Sequence, residues 1–274
     1  MRWIKSFFDF YIQASIHVSI AVLSLIAITA HRFSLDLSSD FYFFVFCGSV
    51  TGYNFVKYAG VAGLHHRSLT RSLRAIQFFS FLAFMGLLLT AYFLPRRLLL
   101  FCIPPAIFTF LYAVPFIAGK NLRRVSGLKI FVIAAVWSWV TVILPVVAAG
   151  ASFTSTVILF ALQLLLFVTV LTLPFEIRDL RFDVQALGTI PQRFGLRTTK
   201  ILGLSGLLFF YVLFFFHKEL SQELLIAAFM SCVVLGILLW KSTTDQSKYF
   251  AAFWVEAIPV LWYLSLLLIG QFLV

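Results

Sequence analysis

Residues 154–174 read TSTVILFALQLLLFVTVLTLP, a run of 21 positions without a charged side chain. About 20 predominantly apolar residues are needed to cross the hydrocarbon core of a bilayer, which is about 30 Å thick. Comparable windows lie at residues 7–30, 41–56, 76–94, 98–118, 130–149, 201–216, 224–240 and 250–272. The sequence therefore predicts an all-α, polytopic integral membrane protein with about nine transmembrane helices.

The composition of the whole chain supports this prediction. Hydrophobic residues make up 62% of the 274 positions and charged residues only 11%. A soluble core of this size cannot hide so much apolar surface, so lipid must be the solvent. We expect a single transmembrane domain over residues 1–274, with a weak internal repeat that relates 1–118 to 130–240 and leaves the last helix, 250–272, unmatched.

The net charge of +11 would suit a nucleic-acid-binding protein if the cations lay on one soluble face. Instead they follow the predicted membrane, and all but four of the 21 lysines and arginines fall on one side. The exceptions are Arg32, Arg96, Arg97 and Lys218. The positive-inside rule makes the basic side cytoplasmic, as in a bacterial inner membrane, with the amino terminus inside and the carboxyl terminus outside. No nucleic-acid partner is expected.

Polar residues concentrate in two long cytoplasmic connections, and the second of them begins with FEIRDLRFD at residues 175–183. Asp179 and Asp183 are spaced i, i+4, so on a helix their carboxylates share one face and can bind a hard cation through oxygen. Glu176 lies one turn before Asp179 and adds to that face. These three residues are candidate metal ligands, and Mg²⁺ at Asp179 and Asp183 is the only cofactor that the sequence suggests.

This stretch resembles the second aspartate-rich motif, D-x-x-x-D, of the UbiA family of membrane prenyltransferases. The T-x-P…G element that often follows the motif matches GTIPQRFG at residues 188–195. The family has nine spans and carries its two motifs on cytoplasmic connections after spans 2 and 6, so the resemblance covers the whole chain. It implies a UbiA-like helix bundle and Mg²⁺-assisted transfer of a prenyl group from a polyprenyl diphosphate to an acceptor.

The first motif of the family, N-D-x-x-D-x-x-x-D, corresponds to NFVKYAGVA at residues 54–62. Only Asn54 matches, because Phe55, Tyr58 and Ala62 stand where the family has aspartates. Loss of one of two carboxylate clusters should cripple a two-metal reaction. We therefore expect a protein that binds an isoprenoid or other membrane lipid, with prenyl transfer lost or reduced and no assigned catalytic residue. A membrane-protein partner in a larger complex is a further expectation.

An active prenyltransferase that uses one metal at Asp179 and Asp183 is the alternative function. Lys57, in the middle of the degenerate motif, leaves two interpretations open. It could simply pair with one of these two aspartates, since charges inside membranes mostly pair with one another.

The other interpretation of Lys57 is a metal-independent site for a diphosphate or a lipid headgroup. Its candidate binding residues are Asn54, Lys57, Tyr58, Arg67 and Arg178.

Four polar residues lie inside the predicted spans. Asp9, Gln13 and His17 are spaced i, i+4 and i+8, which predicts a polar stripe along the first helix. Glu256 lies within the last helix, where an uncompensated carboxylate costs about 2.5 to 3.5 kcal/mol. These residues could line a substrate chamber, form hydrogen bonds between helices, or provide the polar path of a transporter, which is a third candidate function.

Overall fold

The computed structural model describes residues 2–58, 71–115, 121–125, 127–181, 188–217 and 220–273. Within these ranges all the regular structure is helical. The α-helices, in chain order, are α1 (Arg2–Gln13), α2 (Ile16–Phe33), α3 (Ser39–Tyr58), α4 (Arg71–Phe93), α5 (Arg96–Ala113), α6 (Lys129–Ser138), α7 (Leu144–Ala148), α8 (Ser155–Asp179), α9 (Ile190–Val212), α10 (Gln222–Lys241) and α11 (Ile258–Leu273).

Eight helices in the described ranges are long and apolar enough to cross a membrane. They are Ile16–Phe33, Leu73–Phe93, Arg96–Ala113, Lys129–Ala148, Ser155–Asp179, Ile190–Phe216, Gln222–Lys241 and Phe250–Phe272. The α3 helix is 20 residues long, but it carries polar residues such as Asn54 and Lys57 and is not among the eight. The all-α membrane fold is thus confirmed, and the predicted count of about nine spans is close.

The helices of the bundle begin and finish at two opposite ends. We call the end where α3 and α8 finish the motif end, because the two motif positions lie there; α2 and α9 begin at the same end. The interior is packed with aromatic rings, and Trp262 of α11 lies 5.1 Å from Phe167 of α8 and 5.7 Å from Phe210 of α9 between ring centroids. Outward-facing residues such as Phe78 and Leu89 remain exposed, as lipid-facing positions should.

The predicted first span, 7–30, is not one helix. The chain breaks at Ala14 and Ser15, where Ser15 adopts a left-handed conformation with φ of 62°, and a new helix begins at Ile16. This break separates α1 from α2, so the predicted stripe of Asp9, Gln13 and His17 does not run along a single helix. We call residues 12–15 the elbow.

The α1 helix is amphipathic, and its outward face is apolar. Trp3, Ile4 and Phe7 are strongly exposed, whereas Asp9 faces the bundle and binds Lys248. A helix with one apolar and one polar face at the end of a membrane bundle is typical of the membrane–water interface. The elbow therefore marks where the chain turns from the interface into the membrane.

Two stretches of π-helix interrupt the spans. They lie at Trp139–Ile143, between α6 and α7, and at Phe250–Val255, before α11. Each precedes a proline, Pro145 in the first case and Pro259 in the second, and proline cannot donate the hydrogen bond of a regular helix. Glu256 directly follows the second stretch.

At the opposite end of the bundle, His217 is buried beside α8. Its Nε2 atom lies 2.5 Å from Gln163 Oε1, and its Nδ1 atom is buried without a hydrogen-bond partner among the described atoms. Burial, helped by the positive charge of Arg32, lowers the pKa of His217 from 6.5 to about 4. The imidazole is therefore neutral in the folded protein at pH 7.

We expect the free energy of unfolding to fall by about 3 kcal/mol as the pH drops from 6.5 to 4. In this window the unfolded chain protonates His217 and the folded chain does not, so protons favour unfolding. The measurement is denaturant unfolding in micelles across this pH range. His217→Gln should flatten the pH dependence, and an unchanged slope in that variant would assign the effect to other groups.

Candidate functional site at the motif end

Asn54, near the end of α3, is buried and fully engaged by protein groups. Its Oδ1 accepts a hydrogen bond from Ser15 Oγ at 2.8 Å. Its Nδ2 donates to the Ala14 carbonyl at 3.1 Å and to Ser80 Oγ of α4 at 2.8 Å. Asn54 therefore ties α3 to the elbow and to α4.

Lys57 and Tyr58 bind the same elbow. Lys57 Nζ donates to the carbonyls of Ile12 and Gln13, both at 3.3 Å, and to Ser15 Oγ at 3.2 Å. Tyr58 Oη donates to the Gln13 carbonyl at 3.1 Å. The cation thus sits at the carboxyl end of α1, where unpaired carbonyls and the helix dipole favour positive charge. The sequence left open whether Lys57 pairs with Asp179. Among the described residues, Lys57 binds the elbow and does not pair with Asp179.

The second motif has a different partner. Lys129, the first residue of α6, places Nζ 3.0 Å from Glu176 Oε1 and 3.7 Å from Asp179 Oδ2. Arg178 Nε donates to Asp179 Oδ1 at 2.8 Å. Glu176 is 2% exposed and Lys129 only 12% exposed, so this ion pair is largely withdrawn from water. We call these four residues the Lys129 cluster.

These carboxylates lie at the end of a helix that is longer than predicted. The span predicted at 154–174 continues to Asp179, so Glu176 and Asp179 project from the last turn of α8. Thr189 then caps the start of α9, and its backbone N–H donates to Gln192 Oε1. Gly195, with φ of 76°, bends α9 one turn later. The two candidates Asp183 and Arg67 lie outside the described residues.

The described side chains do not fit a magnesium site of the kind that the resemblance implies. The amide of Asn54 is satisfied by protein, Lys129 contacts both Glu176 and Asp179, and Arg178 binds the second oxygen of Asp179. Mg²⁺ takes carboxylate and water oxygens in near-octahedral geometry, and it would have to displace a tethered ammonium group. Within the described ranges, no three His, Cys, Asp or Glu side chains are grouped to hold a metal ion.

Asp9 and His17, which the sequence placed in the first span, make two separate contacts. Asp9 accepts from Lys248 Nζ at 2.5 Å and from Tyr249 Oη at 2.7 Å, and these two donors lower the pKa of Asp9. His17 Nε2 lies 3.0 Å from the Phe253 carbonyl, so Nδ1 accepts from Tyr11 Oη at 2.8 Å. Both contacts fasten the amino-terminal segment to the start of the last span. The contribution of Gln13 is its backbone carbonyl, which accepts hydrogen bonds from Lys57 and Tyr58.

Glu256 lies in the interior between the two motif positions. It is half-buried, and its carboxylate interacts electrostatically with Lys57 and Arg178. Tyr53 of α3 is also within its electrostatic reach, and Trp137 Nε1 donates a hydrogen bond to the Tyr53 hydroxyl. The structure thus brings Lys57, Arg178 and Glu256 to one interior region, although they lie on three different helices.

Lys129 is the residue that sequence reasoning missed. In the sequence it is one of many basic residues on the predicted cytoplasmic side. A usable signal existed, since a lysine opens a span whose mean hydropathy is 2.4, and a buried lysine at a helix start needs a carboxylate partner. The linear sequence does not, however, indicate that this partner is Glu176 of α8.

The described fold is similar to three solved structures. A UbiA homolog from Aeropyrum pernix K1 in its apo form matches with a TM-score of 0.65 at 16% identity, over 92% of this chain and 98% of the other. Digeranylgeranylglyceryl phosphate synthase matches with a TM-score of 0.58 at 18% identity, over 98% of each chain. A UbiA homolog from Archaeoglobus fulgidus, bound to GPP and Mg²⁺, matches with a TM-score of 0.62 at 12% identity, over 96% and 99%.

No protein-family model matches the sequence, and no curated protein matches it either. The resemblance that the motifs suggested is therefore supported by the similarity to these solved structures. At identities of 12 to 18%, this similarity shows the fold.

Proposed function

Because the chain has the fold of the UbiA membrane prenyltransferases, we propose that it binds an isoprenoid or other lipid among its helices, entered from the motif end, and that magnesium-dependent prenyl transfer has been lost. The excess of lysine and arginine supports placing the motif end in the cytoplasm of a bacterial inner membrane, with the carboxyl terminus outside. The observation that carries the proposal is the Lys129 cluster.

The Lys129 cluster supports the loss of metal chemistry. Ionisation of a prenyl diphosphate needs a metal on the leaving group, and Mg²⁺ is bound through carboxylates together with substrate phosphates. Here Lys129 already neutralises Glu176 and contacts Asp179. Because the ammonium is covalently tethered and largely buried, it competes with a divalent ion that must first shed its water.

The elbow supports the same conclusion from the other side of the site. At the first motif position, Asn54, Lys57 and Tyr58 direct their polar atoms to backbone and side-chain groups of residues 12–15. None of these three side chains is an anionic oxygen ligand. The side chains at the first motif position therefore bind the elbow, whereas the resemblance implies that they bind metal.

The interior region of Lys57, Arg178 and Glu256 supports ligand binding. Lys57 lies at the exposed rim of this region, and Arg178 and Glu256 are half-buried below it. Arg178 uses Nε for Asp179, and its other guanidinium N–H groups suit a phosphate or diphosphate, with added positive charge from Lys57 at the elbow. The carboxylate of Glu256 suits a hydroxyl group. An isoprenoid alcohol or its phosphate would present such a headgroup and place its apolar tail between the helices.

We expect purified protein in detergent to bind tritiated geranyl diphosphate equally well with Mg²⁺ and with EDTA, and to return the ligand unchanged after incubation with aromatic acceptors. Arg178→Gln should weaken binding by about fivefold or more, since a charge-assisted hydrogen bond contributes about 1.5 to 3 kcal/mol before solvent screening. Arg97→Gln, at the opposite end of the bundle, is the matched control and should bind as the parent protein does.

Two results would contradict this proposal in different ways. Binding that requires Mg²⁺ and is abolished by Asp179→Ala, or consumption of the diphosphate, would show the active prenyltransferase that we set out as the alternative. Failure to bind geranyl diphosphate, geraniol and longer isoprenoids under either condition would exclude an isoprenoid ligand.

A further inference from the structure

A groove runs along the lipid-facing side of α9 and α10, away from the motif-end site. Leu204 and Leu208 of α9 form one wall, and Val233 and Ile237 of α10 form the other. Its volume is about 440 Å³, within the range of small-molecule sites, and its lining is almost entirely apolar. Lipid chains are the solvent at this depth, so the groove is shaped to hold part of one.

The two ends of the groove differ in chemistry. At its inner end, the rings of Tyr211 and Phe229 approach to 5.5 Å between centroids and close it. At the motif end the lining finishes at Trp240 and Lys241. The lining of α10 from Phe229 to Lys241 spans about 18 Å at 1.5 Å per residue. This is close to half of the hydrocarbon core of about 30 Å, which is the depth of one leaflet.

The mouth of the groove is positively charged. Lys241 is exposed, and no ion pair to it is found among the described residues. Lys200 Nζ donates to the Trp240 carbonyl at 2.7 Å and lies 5.9 Å from the centre of the Trp240 ring. Lysine and tryptophan at the end of an apolar helix mark the headgroup level of a membrane. An anion at that level would meet Lys241.

The glycines of these helices do not form a face for a partner helix. A Cβ atom at Gly203 would lie 2.4 Å from Leu239 and 2.8 Å from Leu173, and one at Gly206 would lie 3.0 Å from Val170. One at Gly236 would lie 3.1 Å from Leu204 of α9. All three glycines pack closely against side chains of neighbouring helices. Apart from Gly236 and Cys232, large side chains line the groove.

We propose that this groove is a site for an anionic phospholipid of the leaflet at the motif end, with one acyl chain between α9 and α10 and the phosphate at Lys241. Three observations support this occupant: the one-leaflet depth, the closed apolar inner end and the cationic mouth. The site is separate from the proposed isoprenoid site, so either can exist without the other.

The test uses Trp240 as a reporter, because this ring lies at the mouth of the groove and is exposed. The protein is placed in vesicles that contain either brominated phosphatidylglycerol or brominated phosphatidylcholine, and quenching of Trp240 is taken as the difference between parent protein and Trp240→Phe. We expect stronger quenching by the anionic lipid. Lys241→Gln should reduce the anionic preference by about fivefold, which is the contribution of one basic residue near a membrane surface.

Two further variants complete the test. Val233→Phe, at an exposed wall position, should reduce quenching by both lipids because it fills the groove. Lys5→Gln removes an exposed lysine elsewhere on the protein and should leave Trp240 quenching unchanged. Equal quenching by both lipids, unaffected by Lys241→Gln, would show an ordinary lipid annulus. Shielding of Trp240 from both lipids in a protein that sediments as a dimer would show that a second copy fills the groove.

Discussion

Replacement of Lys129 by methionine should lower the free energy of unfolding by about 3 kcal/mol. Removing one partner of a buried ion pair leaves the other charge poorly compensated, at a cost of about 3 to 5 kcal/mol. The remaining partner here is Glu176, which is only 2% exposed. Methionine keeps the apolar stem of the lysine, so lost packing contributes little. Unfolding titrated with SDS in mixed micelles would measure the change.

A second substitution should reverse most of this loss. In Lys129→Met/Glu176→Leu both charges are gone, and replacing a buried ion pair by apolar residues is often neutral or stabilising. Arg97→Met, at an exposed position of α5, is the control for loss of a cation and should change stability little. Strict additivity of the two single substitutions would contradict an interaction between Lys129 and Glu176.

Lys129→Met also tests whether Lys129 keeps Mg²⁺ away from the carboxylates of the second motif. Without Lys129, the carboxylates of Glu176 and Asp179 no longer have a tethered ammonium between them. We expect millimolar Mg²⁺ to raise the melting temperature of Lys129→Met and to leave that of the parent protein unchanged, because a ligand stabilises the state that binds it. Equal Mg²⁺ stabilisation of both proteins would show that the parent site already accepts metal.

Replacement of Asn54 by leucine should cost about 3 kcal/mol. Its three hydrogen bonds reach Ser15, Ala14 and Ser80, and Ala14 and Ser15 are fully buried. Each buried group that loses its partner costs about 1 to 3 kcal/mol, and leucine, of similar volume, offers none in return. SDS titration would measure the stability, and hydrogen exchange of α1 would show whether the elbow has opened.

Asn121→Leu is the matched control for this substitution. Asn121 is half-buried, and its side chain makes one hydrogen bond within the described residues, from Nδ2 to the Ala113 carbonyl at 3.0 Å. We expect it to cost about 1 kcal/mol and to leave exchange in α1 as it is. Equal losses for the two asparagines, with α1 unaffected in both, would mean that Asn54 does not hold the elbow.

Together these contacts describe a UbiA-type fold whose motif positions bind protein groups. Asn54, Lys57 and Tyr58 hold the elbow, and Lys129 occupies the carboxylates of the second motif. Arg178 and Glu256 remain accessible in the interior. This arrangement agrees with our proposal of a bundle that admits a lipid headgroup and does not assemble two metal ions.

Hydropathy determined the fold class of this protein, because each spanning helix satisfies its own backbone hydrogen bonds and can be recognised from about 20 consecutive residues. The motif at 175–183 similarly identified the fold from local residues, and the structural likeness agrees with it. The left-handed Ser15 that ends α1 was not readable from the chain, since non-glycine residues rarely adopt that conformation and here Asn54 and Lys57 hold it from another helix.

Only the tertiary structure decided what the charged residues contact. In the sequence, Lys57 is the cation in the middle of the degenerate first motif, and Lys129 is one basic residue among many. In the fold, Lys57 binds the elbow and Lys129 binds Glu176. Helix propensity and hydropathy act over a few turns, whereas an ion pair depends on which helices pack side by side and on their rotation, and those quantities are set by the whole bundle.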